Sequence, residues 1–266
     1  GNIFQQLYNV ADLVIVGRTL GVKQFASIGA VAPLFFLVMF VIVGLTNGFA
    51  VVTGQRYGAK NLDGVKNSVV VSTILSTIVT VLFSIFSTVF MNPILHAMRV
   101  PQEIYHDAYW YVEIVIIGLI ISTMYNMLAS IIRALGDSKT PLYYLIVSSI
   151  ANIILAIYFV KDLHWGVPGS AVAMILSQGL SVILCLILIK YKFPILCLSK
   201  KDWKIKINKD FWKSVWEHLN VGLPMAFQFS LIGISIIVIQ GVCNTFGADV
   251  IAALTAALRI EQIATL

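Results

Sequence analysis

Apolar residues run along this chain in stretches far longer than a strand or an amphipathic surface helix needs. Eight segments can be marked off: about 1–17, 25–53, 67–91, 108–134, 141–160, 168–190, 216–244, and one opening near 249. A hydrocarbon core about 30 Å thick takes about 20 helical residues to cross, so the pattern predicts an all-α polytopic membrane protein. The second and seventh segments exceed a minimal span, an excess that tilt or a kink absorbs. Between segments the punctuation is that of helix ends. After the fourth comes Arg133-Ala134-Leu135-Gly136-Asp137-Ser138-Lys139-Thr140-Pro141, in which Gly136 suits a C-terminal cap, Thr140 an N-cap and Pro141 the first helical position. Val100-Pro101-Gln102-Glu103 and Val167-Pro168-Gly169 read as further helix starts.

Composition strengthens this picture: 59% of residues are apolar and 11% charged, and the mean hydropathy is +0.92, outside the soluble globular range. Charge sets the orientation. Alternate connections carry Arg56, Lys60, Lys66, Arg133, Lys139 and the run Lys190 to Lys213, 13 basic residues in all, whereas the other set carries only Arg18, Lys23, Arg99 and Lys161. The positive-inside rule places the richer set in the cytoplasm, so the first helix runs outward. The basic stretch 190–213, interleaved with Trp203, Phe211 and Trp212, has the superficial form of a nucleic-acid patch. In a membrane chain it reads instead as a cytoplasmic, interfacial linker, and no nucleic-acid partner is expected. The chain opens Gly1-Asn2-Ile3-Phe4, with no initiator Met and no basic leader, so the natural N-terminus is expected upstream. Cys185, Cys197 and Cys243 lack metal or redox spacing, and His96, His106, His164 and His218 fall in or near connections with no i+4 pair. Neither a metal site nor a cofactor is expected.

Asp12 stands against this apolar background. An ionised carboxylate at the centre of a spanning helix costs roughly 2.5–3.5 kcal/mol on insertion scales, which makes it a functional-site candidate. Gln5, Tyr8, Asn9 and Asp12 lie at i, i+3, i+4 and i+7 and share one helical face, while Leu, Val and Ile cover the other. The bland alternative, a carboxylate snorkelling at the outer interface, is opposed by the stripe's inward run to Gln5. Further cavity candidates are Tyr125 and Asn126 in the fourth segment, Gln178 in the sixth and Gln228 in the seventh; for each, hydrogen bonding between helices is the competing role. Met124, Met127 and Phe227 suit a permissive cavity or ordinary packing, and Arg133 suits a structural role at a cytoplasmic helix end.

Leu20-Gly21-Val22-Lys23-Gln24-Phe25-Ala26-Ser27-Ile28 resembles Phe246-Gly247-Ala248-Asp249-Val250-Ile251-Ala252-Ala253-Leu254, an offset of 226 residues that pairs the first segment with the seventh. Duplicated transporter halves show such a pairing. It predicts a six-helix amino-terminal lobe over 1–190, a basic linker over 191–215, and the first two helices of a second lobe over 216–266. The complete protein would then be on the order of 450 residues. At the same offset the counterpart of Asp12 is Val238, so the acid is not duplicated.

Gln6-Leu7-Tyr8-Asn9-Val10-Ala11-Asp12, Val16-Gly17, Leu20-Gly21-Val22, Gly54-Gln55-Arg56-Tyr57-Gly58-Ala59, the Arg133–Pro141 turn and Asn152-Ile153-Ile154-Leu155 together resemble the bacterial side of the multidrug and toxic compound extrusion (MATE) family, over essentially the whole chain. The resemblance implies a two-lobe, twelve-helix antiporter in the bacterial inner membrane, with cytoplasmic termini and a central cavity between lobes. It implies export of small-molecule organic cations and other toxic amphiphiles against a proton or sodium gradient, with the lipid bilayer as surroundings and a monomer as the expected state. In that family the acid on the first helix is a principal coupling residue, a place that Asp12 occupies, and Asn152 matches a fifth-helix polar residue of the same site. Two positions depart from the family: an Asp commonly found four residues after that Asn is here Ala156, and a frequent sixth-helix Thr is Met174. Both weaken sodium coordination in this lobe.

The residues themselves point the same way. Loss of water disfavours the charged form of a lone carboxylate, so Asp12 is expected to exchange protons and to compete for them with a cationic substrate. Tyr8, Asn9 and Asn152 are the expected hydrogen-bond partners. A lipid-linked saccharide flippase would need a large cationic cavity, whereas these candidates are an acid and neutral amides. An intramembrane aspartyl protease would need a second acid, which Ala156 does not supply, and no catalytic residues are expected. A non-transporting scaffold leaves the Gln5-to-Asp12 stripe unexplained.

Overall fold

The computed structural model describes residues 15–98, 100–199, 202–203 and 209–244. All regular structure in these residues is helical: α1 (Val22–Gly58), α2 (Leu62–Val89), the short α3 (Met91–Ala97), α4 (Gln102–Ile117), α5 (Leu119–Ala134), α6 (Thr140–Ile157), α7 (Gly166–Lys192) and α8 (Lys209–Asn244). Among the described residues Leu34–Gly58, Leu62–Val89, Thr140–Asp162 and Gly166–Lys192 are each long and apolar enough to cross a membrane, and α4 with α5 makes a further, bent span. The fourth hydrophobic segment is therefore not the straight helix its composition predicts. It breaks at Gly118, where the axes differ by 47°, with the Ile175 side chain of α7 packed over the glycine. The linker is also shorter than expected, because α8 starts at Lys209. Gln5, Tyr8, Asn9, Asp12, the second repeat copy and the eighth segment lie outside the described residues.

Two helices of the bundle turn a row of polar side chains inward and large apolar ones outward. Along α2 a row of hydroxyls, Ser68, Ser72, Ser76 and Thr80, recurs every fourth residue and is buried, while Ile78, Leu82, Ile85 and Phe86 are exposed. The same holds for α6, where Ser148 and Asn152 are buried and Val147, Ile150 and Ile154 are exposed. Leucine gains nothing from leaving lipid for a helix interface, so small residues that permit close approach, and hydroxyls that bond across it, hold such helices together. Thr80 donates to Thr123 of α5 at 2.9 Å, and Ser84 donates to the Ile116 carbonyl of α4 at 3.1 Å. In the antiparallel α6–α7 pair, Ser148 donates to the Ser177 carbonyl and Ser181 to the Tyr144 carbonyl at 3.4 Å.

The most extensive helix pairing is α1 with α8. A Cβ on Gly48 would stand 2.5 Å from the Gly222 Cα, and one on Gly44 2.6 Å from the Ala226 Cα. These contacts are backbone against backbone, so no side-chain shift can relieve them. Phe49, fully buried, covers Gly222 and clusters with Leu45 and Ala226.

Helix ends follow the sequence cues, with one addition. Asn61 caps α2 by accepting from the Gly64 N–H at 2.9 Å. After α5, Gly136 takes φ +100°, as a C-terminal glycine should. Thr140 is the first residue of α6 rather than its cap. The capping side chain is Asp137, buried, which accepts from the Thr140 N–H at 3.0 Å and hydroxyl at 2.7 Å, and from the Lys192 ammonium of α7 at 2.6 Å. Burial alone would raise the Asp137 carboxyl; the bonds from Lys192 and Thr140 outweigh it and hold it down to about 2.

Two outcomes follow for the purified protein in detergent. Gly48→Ala should push α8 from α1 and lower stability by about 1–3 kcal/mol, read as a lower Tm; an unchanged Tm would mean that the helices do not meet there. Because the folded carboxyl lies below its unfolded value of about 3.9, the stabilisation from Asp137 is full above that pH and is lost as pH falls through about 2. Asp137→Asn should cost about 1–2 kcal/mol at neutral pH and remove that part of the acid dependence; identical pH–Tm curves would refute the assignment.

Candidate functional site

Asn152 lies in the middle of α6, fully buried, and neither its amide oxygen nor its nitrogen has a hydrogen-bond partner among the described residues. The α6–α7 bonds fix its level: with Tyr144 opposite Ser181 and Ser148 opposite Ser177, one more antiparallel turn sets Asn152 level with Ala173 and Met174. Ala156, one turn further, is also fully buried. At that level α7 offers Ala173 and Met174, a methyl and a thioether, and carries no side-chain oxygen between Ser170 and Ser177.

This wall joins the largest apolar cluster. Val16, fully buried, packs in one cluster with Tyr111 of α4 and with Ala171 and Met174 of α7. Val16 stands four residues after Asp12 in the sequence, and Asp12 lies outside the described residues.

The remaining candidates separate. Asn126 and Gln178 come together at Ser122: the Asn126 amide donates to the Ser122 carbonyl at 2.8 Å, and the Ser122 hydroxyl donates to Gln178 Oε1, tying α5 to α7. Tyr125 is buried against α6, its hydroxyl donating to the Pro141 carbonyl at 3.3 Å. Gln228 is exposed on α8. Arg133 has the structural place its position suggested: it donates to Ser130 at 2.8 Å and to Asn47 of α1 at 3.3 Å, while Ser130 donates to the same Asn47 oxygen at 2.8 Å.

Glu113 is the residue that sequence reasoning passed over. It lies on α4, about one helical turn before the break at Gly118, and its Oε2 is buried with no partner among the described residues. The signal was available as an acid between Val112 and Ile114 in the fourth hydrophobic segment.

These observations define a class: a polytopic helical protein whose membrane interior holds an unpartnered amide. The family follows from comparison. The family model MatE matches residues 1–158, more than half of the chain, and the chain belongs to the MATE family of multidrug efflux transporters. It is 26% identical over 267 residues to "Probable multidrug resistance protein YpnP" of Bacillus subtilis (strain 168), covering 100% of this chain and 58% of that protein. An outward-facing MATE transporter of the MOP superfamily overlays with a TM-score of 0.86 at 26% identity, covering 99% of this chain and 57% of that one. An inward-facing structure gives 0.81 at 27% identity, covering 97% and 58%. The chain therefore spans somewhat under three-fifths of the length of the relatives it matches.

The unpartnered amide generates a test. A buried amide left unbonded costs about 1–3 kcal/mol, so Asn152→Leu, similar in volume, should leave Tm unchanged or raise it. A clearly lower Tm would mean that Asn152 holds the fold rather than a site.

Proposed function

We propose that this chain is the larger part of a bacterial inner-membrane antiporter that exports organic cations and related toxic amphiphiles in exchange for protons, with Asp12 as the coupling carboxylate and Asn152 as its partner. The carrying observation is the unpartnered Asn152 amide at the level of Met174, in the wall whose apolar cluster takes in Val16. A polar group kept at that depth without a partner favours something that comes and goes. In this reading the carboxylate alternates between holding a proton and holding a cationic substrate, and each occupant favours one facing state of the lobes. Tyr8, Asn9 and Gln5 extend the polar face along which the substrate passes. Ala156 and Met174 offer no hard oxygen ligand, which favours protons over sodium. The multidrug resistance named for the relatives supports the substrate class.

The full-length protein in vesicles, loaded with a fluorescent organic cation, provides the test under separate proton and sodium gradients. A proton gradient should drive efflux and a sodium gradient little. Asp12→Asn should abolish gradient-driven efflux, and transport unchanged in that variant would sink the coupling role.

A further inference from the structure

His218 is fully buried where α8 meets α1 and α2, a place that neither the apolar packing nor the candidate site explains. Its Nδ1 lies 2.7 Å from the Ser214 carbonyl. A carbonyl only accepts, so Nδ1 carries the hydrogen and donates. Nε2 of the neutral ring then accepts from the Ser68 hydroxyl of α2 at 2.8 Å. With its hydrogen so used, the Ser68 oxygen accepts from Thr53 of α1, also at 2.8 Å. One directed chain, Thr53 to Ser68 to His218 to Ser214, thus stitches three helices. Beside it the Arg56 guanidinium donates to the Gly64 carbonyl of α2 at 3.1 Å, and to the Ser214 hydroxyl at 3.0 Å and Glu217 Oε2 at 2.7 Å on α8. The Phe49 ring meets the imidazole edge-on, with centroids 5.9 Å apart.

The location gives this cluster its meaning. It lies at the end of the bundle that carries Arg56, Lys60, Lys66, Arg133, Lys139 and Lys192, where charge places the cytoplasm. It sits just beyond the Gly48–Gly222 contact, and its α8 members belong to the second lobe while Thr53, Arg56 and Ser68 belong to the first. A permanent seam could be apolar throughout, as the Leu45–Phe49–Ala226 cluster is. A seam that opens to water is better built from groups that water can satisfy, because hydroxyls, imidazole and guanidinium exchange partners on opening where leucine would be stranded.

We infer that Thr53, Arg56, Ser68 and His218 are positioning residues of the transport cycle, an inter-lobe lock that closes the cytoplasmic end and must break for the lobes to open inward. The inference rests on the two-lobe transporter reading above. The lock touches neither substrate nor coupling ion; it holds the closed state while those exchange on the other side. The closer overlay on an outward-facing relative than on an inward-facing one is in keeping with this.

Ser72 supplies the reporter. It lies one turn deeper than Ser68 on the same face of α2, is fully buried, and its hydroxyl has no partner among the described residues. In the full-length protein, with Cys185, Cys197 and Cys243 replaced by serine, Ser72→Cys would be labelled by a membrane-impermeant maleimide in inside-out membrane vesicles. Labelling should be slow with the lock intact. It should accelerate at least tenfold with His218→Leu, which keeps bulk but neither bond, and with Arg56→Met. His218→Gln, whose amide oxygen can accept from Ser68 near the Nε2 position, should stay within about twofold of the parent rate. Unchanged labelling with His218→Leu overturns the lock, and so does equal acceleration with Leu and Gln, which would assign the effect to ring shape. Labelling reads closure without transport, so the two can fail separately: a lock that behaves as expected in a protein that moves no organic cation would remove the proposed substrate class and leave the inter-lobe closure standing.

Discussion

Everything in this bundle depends on one constraint: within the bilayer a helix gains little by burying an apolar side chain against another helix, since lipid is equally apolar. Cohesion must come from backbones that approach closely and from polar groups that find each other. Gly44 and Gly48 meet Ala226 and Gly222 for the first purpose. Hydroxyls of α2 serve the second, with buried Ser68 and Thr80 and half-buried Ser84 each spent on a different neighbour, α8, α5 and α4. Under this constraint a polar side chain buried without a partner stands out far more than it would in a soluble core.

Asn152 is one such group, beside Ser72, Ser76 and Glu113, and the only one of them with both polar atoms unpartnered among the described residues. Ser122 and Gln178 join α5 to α7, while the Asn126 amide is spent on the Ser122 carbonyl within its own helix. Tyr125 is likewise bound to the start of α6. The Asn152 amide stays unsatisfied, level with Met174, whose apolar cluster extends to Val16. A site poor in fixed oxygen ligands yet lined by one amide suits a transient occupant better than a resident ion.

Much of the fold was legible because membrane helices write themselves in long apolar runs, and because glycine, proline and charge punctuate the connections. Gly136 and Pro141 mark the α5–α6 turn where the sequence suggested. What escaped was whatever depends on tertiary partners. Nothing local says that Gly118 bends a span, since a lone glycine in a membrane helix is ordinary; the bend depends on Ile175 packing over it. The capping bonds of Asp137 to Thr140 are local, but its pairing with Lys192 joins residues 55 apart. His218 read as a connection histidine because its partners, Ser68 and Thr53, lie 150 and more residues upstream. Of the candidate site, Asn152 was named through a motif, while Glu113 hid in a segment judged by its average hydropathy.

The two polar features also differ in the free energy they can exchange. Each internal hydrogen bond is worth a net of only about 0.5–1.5 kcal/mol, because water replaces it on opening. The half-buried Arg56–Glu217 pair adds a contribution of the same modest order. A chain such as Thr53–Ser68–His218–Ser214 therefore holds the seam by a few kcal/mol at most, within the differential that a bound proton or cation can supply to a two-state equilibrium. The glycine contacts below it act differently: their short backbone distances fix where the two helices touch and so set a pivot rather than a latch. A fixed backbone contact beside a breakable polar seam is what the proposed inter-lobe opening needs, because the helices keep their register where they touch while the polar groups exchange partners with water.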